Sequence, residues 1–339
     1  MKESLPDKYL KSTIPIVETA IKDYSGEYSK EFHEFLEKDG ASVRLLIREL
    51  SNHVWQDPRN ENLFTGPLDV DFPAPTIAGL VWTHLSTTLR NSSVVLDRLK
   101  EEFRAGSALL IVGAGISFDS GFNWVTVQRC LRRCFPRENL DPVFELDQRG
   151  GPLWQRLRDE KLEGEDKVVV FRRHLSAEVR RMDPKQAHRH IKDFLERGKV
   201  LHVVCFNWDD FIERDSPFIQ ERTVYCNEQP RFSETPLLWK PHGCVTKMGP
   251  QRFRLPDEGI SLSPHAISTI KRTPGSLVPI TMGFSGSSYF SANELRGIIN
   301  GTWPIFDVRP VAMPNTKMGD IMISLGATYV LEQLSAGLE

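Results

Sequence analysis

Four stretches of the chain are apolar at nearly every position and end in small or polar residues: 108–112, 200–206, 277–284 and 305–312. A run that is apolar on both faces fits a central parallel strand covered by helices. Between these runs, helical spacing predicts helices over 125–135, 168–182 and 188–197, with a last one near 320–334. Strand and helix in alternation give an α/β fold, a Rossmann-like, doubly wound parallel sheet whose ligands sit beyond the carboxyl ends of its strands. Residues 1–106 read differently. Phe32, Phe35 and Leu36, then Val43, Leu45, Leu46 and Leu50, recur at helical spacing, a turn-rich break covers 56–75, and the period resumes from Thr76 through Leu99. This segment carries no phosphate loop or catalytic cluster. The expected division is therefore a helical N-terminal region at 1–106, for oligomerisation or regulation, and an α/β domain at 107–339.

Composition narrows the class. Of 339 residues, 40% are hydrophobic and 26% charged, ordinary globular usage. Lys plus Arg (43) against Asp plus Glu (45) gives a net charge of −2, so no global polycation exists and direct nucleic-acid binding is not expected. No apolar run approaches the roughly 18 to 20 residues of a membrane span, and the first residues show no signal-like apolar core, so a soluble cytoplasmic protein is expected. The five cysteines (130, 134, 205, 226 and 244) include no C-x-x-C pair, which argues against a disulfide framework and a four-thiolate zinc site. Cys130 and Cys134 share a helix face and read as small buried hydrophobes, with metal binding as the alternative.

Three constellations carry candidate chemistry. The first strand runs into Gly113-Ala114-Gly115-Ile116-Ser117, with Ser120-Gly121 after it. Glycines let a backbone approach a diphosphate, and amides at the start of a following helix supply donors. The dinucleotide fingerprint G-x-G-x-x-G fails, because its third glycine falls on Phe118. The second constellation, Phe206-Asn207-Trp208-Asp209, ends the next apolar run and puts an amide and a carboxylate at the sheet edge; a helix cap is the structural alternative. The third is Lys240-Pro241-His242-Gly243, where a lone histidine before glycine is ordinarily a turn residue. Arginine groups at 129, 132 and 133, at 172–173 and at 180–181 read as solvated faces, and His174, His188, His190 and His202 as packing or capping groups.

Taken in order, GAGIS with a following Ser-Gly, N-x-D, K-x-H-G and Gly283-Phe284-Ser285-Gly286-Ser287 resemble the sirtuin superfamily over about 107–335. Pro184-x-x-x-His188 resembles the start of the helix before the family's N-x-D strand. The resemblance implies NAD+ as substrate. It places Gly113, Ala114, Gly115 and Ser117 around the diphosphate and nearby ribose, and Gly283, Ser285 and Ser287 at the adenosine side. By the same resemblance, Asn207 positions the attacking group, Asp209 recognises the nicotinamide carboxamide, and His242 is the catalytic base, accepting a proton near neutral pH.

Departures from the family pattern point to one branch. Protein-deacylating sirtuins hold zinc with two C-x-x-C pairs after H-G, whereas here the interval from Gly243 to Phe284 contains only Cys244, so no zinc is expected. Phe206 and Trp208 replace Gln and Ile of the family motif, and Phe122-Asn123-Trp124 replaces its Pro-x-Phe-Arg. The chain is similar to the zinc-free branch of bacterial antiphage proteins that hydrolyse NAD+ to nicotinamide and ADP-ribose. That similarity implies a regulated effector acting by NAD+ depletion (abortive infection), as a homo-oligomer or with a defence partner. An NAD-dependent protein deacylase or ADP-ribosyltransferase, and a non-catalytic NAD or ADP-ribose sensor, remain as alternatives.

Overall fold

The chain's strand-forming runs pair into one parallel sheet in its computed structural model, which describes residues 7–23, 44, 47–48, 50–52, 77, 79, 92, 94–146, 151–232, 234–247, 249, 252–258, 262–273, 275, 277–283, 297–298, 304–308, 321–323 and 325–338. Nine strands fall in these residues: β1 (Ser107–Val112), β2 (Lys161–Leu162), β3 (Glu165–Asp166), β4 (Val200–Cys205), β5 (Thr223–Tyr225), β6 (Leu237–Lys240), β7 (Leu277–Met282), β8 (Phe306–Val308) and β9 (Ile321–Ile323). Seven form the sheet in the order β5-β6-β4-β1-β7-β8-β9, every pair parallel, while β2 and β3 make a separate antiparallel hairpin. After β1 the chain lays down β4, then the edge strand β5 and β6 between them, and crosses to β7, β8 and β9 on the other side, so β1 sits at the topological switch.

The helices are α1 (Asp7–Lys22), α2 (94–105), α3 (Trp124–Cys134), α4 (Asp141–Leu146), α5 (Gly151–Asp159), α6 (Lys167–Arg180), α7 (Gln186–Glu196), α8 (Pro217–Glu221), α9 (Pro264–Arg272) and α10 (Ala327–Ala336). Alternation along β1 explains the doubly covered sheet. Ala108, Leu110 and Val112 join one core with Ile191, Phe194 and Leu195 of α7 and Val330, Leu331 and Leu334 of α10. Leu109 and Ile111 face the other way, into a second core with Trp239 and with Ala266 and Ile270 of α9. Leu96, Leu99 and Phe103 of α2 also lie in the first core, so the last helix before residue 107 packs on the sheet.

A third core belongs to α3, α5 and α6, where Leu131, Trp154, Phe171 and Leu175 pack together and receive Trp208, Phe211, Val245 and Phe253 from loops at the sheet edge. Burying each of these large side chains contributes roughly 1.5–3 kcal/mol, so the helical module anchors the loops it touches. Asn123 starts α3 by accepting from the amides of Val125 (3.0 Å) and Thr126 (3.3 Å) through Oδ1.

Several expectations need correction. The helix expected near 320–334 is instead β9 followed by α10, because Ile321–Ile323 pairs with β8 and Gly326 restarts the chain as an N-cap. Strands β5 and β6 were not expected at all. After the glycine loop the chain forms a 3-10 helix, Ala114–Ser120, rather than the start of an α-helix. Of the strand expected over 305–312, Phe306–Val308 is strand and 309–312 lie outside the described residues.

Candidate active site

Parallel pairing sets the site. Val112 lies opposite Cys205 on β4 and opposite Met282 on β7, and Val204 lies opposite Trp239 on β6. The ladder continues one step past the strands: Phe206 N–H donates to Val112 O at 3.0 Å and Gly113 N–H to Met282 O at 3.0 Å. Loops beginning at Gly113, Phe206, Pro241 and Gly283 therefore leave one edge at the same height. By the β4–β6 register, Asn207 is level with His242.

Ser117, fully buried, is the hub of this edge. Its hydroxyl donates to Asp209 Oδ2 at 2.8 Å and accepts from Asn207 Nδ2 at 2.9 Å. Its third neighbour is His188 Nε2 at 3.1 Å. The backbone N–H of Lys185 donates to His188 Nδ1 at 3.1 Å, so the ring proton sits on Nε2 and points at Ser117. Burial pulls His188 down to about 4, against the opposing pull of Asp209, which keeps the ring neutral. Ser117 thus makes one donated and two accepted bonds, the full capacity of a hydroxyl. Asp209 Oδ1 accepts from Phe211 N–H at 3.1 Å, which makes this residue a turn former rather than a helix cap.

His242 stands beside this network, edge-on to Phe206 and Trp208 with ring centroids 6.1 Å away in each case. Burial drives its ring to about 3, with a weaker opposing pull from the Arg254 main chain, and Nδ1 is closed to solvent without a hydrogen bond of normal geometry. The expected titration near neutral pH is therefore replaced by an imidazole that stays neutral through the physiological range. The loop bearing it is laced to the N-x-D loop: Val245 N–H donates to Trp208 O at 2.9 Å, Thr246 Oγ1 to Asp210 Oδ2 at 2.8 Å, and Trp208 Nε1 to Arg254 O at 3.1 Å. Gly243, at φ +74°, folds the chain back so tightly that a Cβ would lie 2.0 Å from Arg252 O. From the helical module, Arg172 donates to Gly249 O at 2.8 Å and Arg158 holds Asp257 through two bonds of 2.6 Å. Trp208, which stands where the family motif has Ile, is buried in the module core against Trp124, Trp154 and Phe171.

The glycine loop works by close approach. Gly115 N–H donates to Gly283 O at 2.8 Å, and a Cβ on Gly115 would lie 2.6 Å from Gly283 Cα; Gly283 itself has φ +60°. The amides of Gly113, Gly115 and Ile116 all donate to protein carbonyls. The loop is thus a backbone-to-backbone joint between β1 and β7, and the expectation that its amides wait for a diphosphate is corrected for these three. Ala114 and Gly115 are exposed at the edge. Ser285 and Ser287 lie outside the described residues.

The structure brings Ser117, Asn207 and Asp209 into direct contact and sets His242 beside them. His188, which reads from the sequence as a packing or capping group, belongs to the site: a lone histidine in a helix gives no sign that its far nitrogen reaches a serine 71 positions away. Cys130 and Cys134 are buried free thiols, pushed up by burial to about 11 and 12. Among the described residues, no three His, Cys, Asp or Glu side chains group as metal ligands, and no helix is long and apolar enough to cross a membrane.

Comparison with known proteins gives a likeness in structure only. No protein-family model and no curated protein matches the chain. A solved Sir2 enzyme aligns at 17% identity and a TM-score of 0.42, covering 72% of this chain and 96% of its own. A Sir2 homolog solved with NAD aligns at 18% and 0.38, covering 71% and 93%, and Sir2Tm bound to a propionylated peptide at 15% and 0.37, covering 69% and 94%. Likeness at these scores bears on neither substrate nor activity.

Proposed function

We propose that the chain is an NAD+ hydrolase. The observation that carries this reading is the bonded set of Ser117, Asn207 and Asp209 from the loops after β1 and β4 with His188 of α7, and a neutral His242 in the loop after β6. The ordered sirtuin-like motifs supply the substrate. Breaking the bond between nicotinamide nitrogen and ribose C1′ leaves the electron pair on nicotinamide and an oxocarbenium-like ribose. Water adds to C1′, and the proton it sheds goes to His242 and then to solvent, giving nicotinamide, ADP-ribose and one H+. Water bound to such a cation is far more acidic than an imidazolium, so a ring held at about 3 suffices as acceptor.

In this scheme the carbonyl oxygen of Asn207 accepts a hydrogen bond from the attacking water. Asp209 takes a different part from direct recognition of the carboxamide. It is 1% exposed and engaged by Ser117 and the Phe211 amide, so it acts as a positioning residue through Ser117. Gly113, Ala114, Gly115 and Gly283, with Ser285 and Ser287, form the nucleotide-facing side, and no zinc takes part.

The test is purified protein incubated with NAD+ alone and with an acylated peptide, with nicotinamide and ADP-ribose quantified chromatographically. Wild type is expected to release both without the peptide, and His242→Ala and Asn207→Ala to release them about 10²- to 10⁴-fold more slowly. Variants as fast as wild type would refute the assignment, and product only with the peptide would make the chain a deacylase. Binding without turnover would make it a sensor.

The wider reading is a cytoplasmic effector of antiphage defence that depletes NAD+ when triggered, with the N-terminal helical region providing oligomer or partner contacts. Its test is truncation. Because α2 packs in the sheet core, the deletion must stop before Val94; unchanged assembly and unchanged basal activity after removal of 1–92 would count against a regulatory role.

A further inference from the structure

The third motif contains a residue that the chemistry above does not use. Lys240 ends β6, is 1% exposed, and extends Nζ to the main-chain carbonyl of Asp209 and to Glu213 Oε1 (3.1 Å) and Oε2 (3.4 Å). Glu213 is 0% exposed. An ammonium has three donors, and the two Glu213 contacts plus Asp209 O employ them all. Burying both charges removes them from water, and an apolar pair of similar volume fills such a space without that penalty. What an apolar pair does not supply is a donor for Asp209 O, a carbonyl in the turn that carries Asn207 and Asp209. Burial is the strongest single influence on the ammonium and opposes its charge, but Glu213, with further pulls from Cys244, Cys205 and Asp209, leaves Lys240 well above the usual lysine range.

We propose that Lys240 is a positioning residue for nucleotide cleavage, its buried ammonium fixing the Asp209 main chain and so the direction in which Asn207 and Asp209 meet Ser117. The proposal rests on the hydrolase reading for its kinetic consequence, but not for its structural one. β6 delivers two functions two residues apart: His242 to the edge and Lys240 beneath the neighbouring loop. Glu213, four residues beyond Asp209, closes the link from the far end of the same loop.

Lys240→Met alone strands Glu213 and risks unfolding, so the deciding variant is Lys240→Met combined with Glu213→Leu, which removes the pair and the tie together. It is expected to melt within a few degrees of wild type while kcat for nicotinamide release falls about 10²-fold and KM for NAD+ changes little. Leu238→Ala, a buried truncation on the same strand, lowers the melting temperature and keeps kcat, separating stability from positioning. An activity-free readout is the imidazole N–H of His188 in 15N-histidine-labelled protein: locked onto Ser117 it exchanges slowly, and in the double variant at least about 10-fold faster. A double variant that keeps both kcat and slow His188 exchange overturns the proposal. If wild type releases no nicotinamide, the hydrolase reading fails, and the His188 exchange rate alone decides on Lys240.

Discussion

The two sides of β1 hold the candidate site by opposite means. Toward β4 and β6, the wall is made of side chains: Ser117, His188, Asn207, Asp209, Lys240 and Trp208 bind or pack against one another across three loops. Toward β7, the wall exists because side chains are missing: Gly115 and Gly283 touch backbone to backbone. The first wall can be tuned by chemistry and unpicked by protons. The second has no titratable group in the described contact and depends on shape alone.

Acid should separate the two walls most strongly. His188 and His202 are held at about 4 and His242 at about 3, each chiefly by burial, below the ordinary 6.5. The folded state therefore binds fewer protons than the unfolded chain between these values and 6.5. The stability these rings contribute is present above 6.5 and lost as pH falls, by about 1.4 kcal/mol per pH unit for each ring. Denaturant midpoints measured from pH 7 to 5 should fall steeply, and a flat profile would show that the rings titrate normally. Truncation comes next. Trp208→Ala should remove about 3–5 kcal/mol, read by chemical denaturation, because the indole joins the module core to both loops. Ser117→Ala should cost about 3 kcal/mol, since it leaves buried groups on His188, Asn207 and Asp209 without a partner; a loss below about 1 kcal/mol would mean water replaces the hydroxyl.

On the glycine wall, Gly283→Ala should cost about 1–3 kcal/mol, with the new methyl 2.7 Å from Ile116 N at a left-handed backbone position. The smallest effect is expected at the surface, where Arg173→Ala breaks its exposed ion pair with Glu165 and should change stability by less than about 1 kcal/mol. If Gly283→Ala instead exceeded Ser117→Ala, the backbone joint would be the stronger wall.

Much of this architecture is legible in the pattern of apolar runs along the chain. The runs that hold β1, β4 and β7 are apolar on both faces, as central strands require, so their composition alone declares them. Strands β5, β6 and β9 have only three or four residues, and Leu237-Leu238-Trp239-Lys240 has no periodicity to distinguish strand from helix. Ile321–Ile323 blended into the helical pattern that follows, and its pairing with β8 overrides that local signal. Ser117, Asn207 and Asp209 were legible because they follow strand ends. His188 and Lys240 were not, since their roles come from partners distant in sequence.

All five cysteines are buried and unpaired, and burial raises every thiol to about 11 or 12. The reactive thiolate is thus scarce at neutral pH throughout the native fold. A maleimide dye added to the folded protein should meet a nearly silent background, so one engineered surface cysteine can report distances between labelled positions without first removing the native ones.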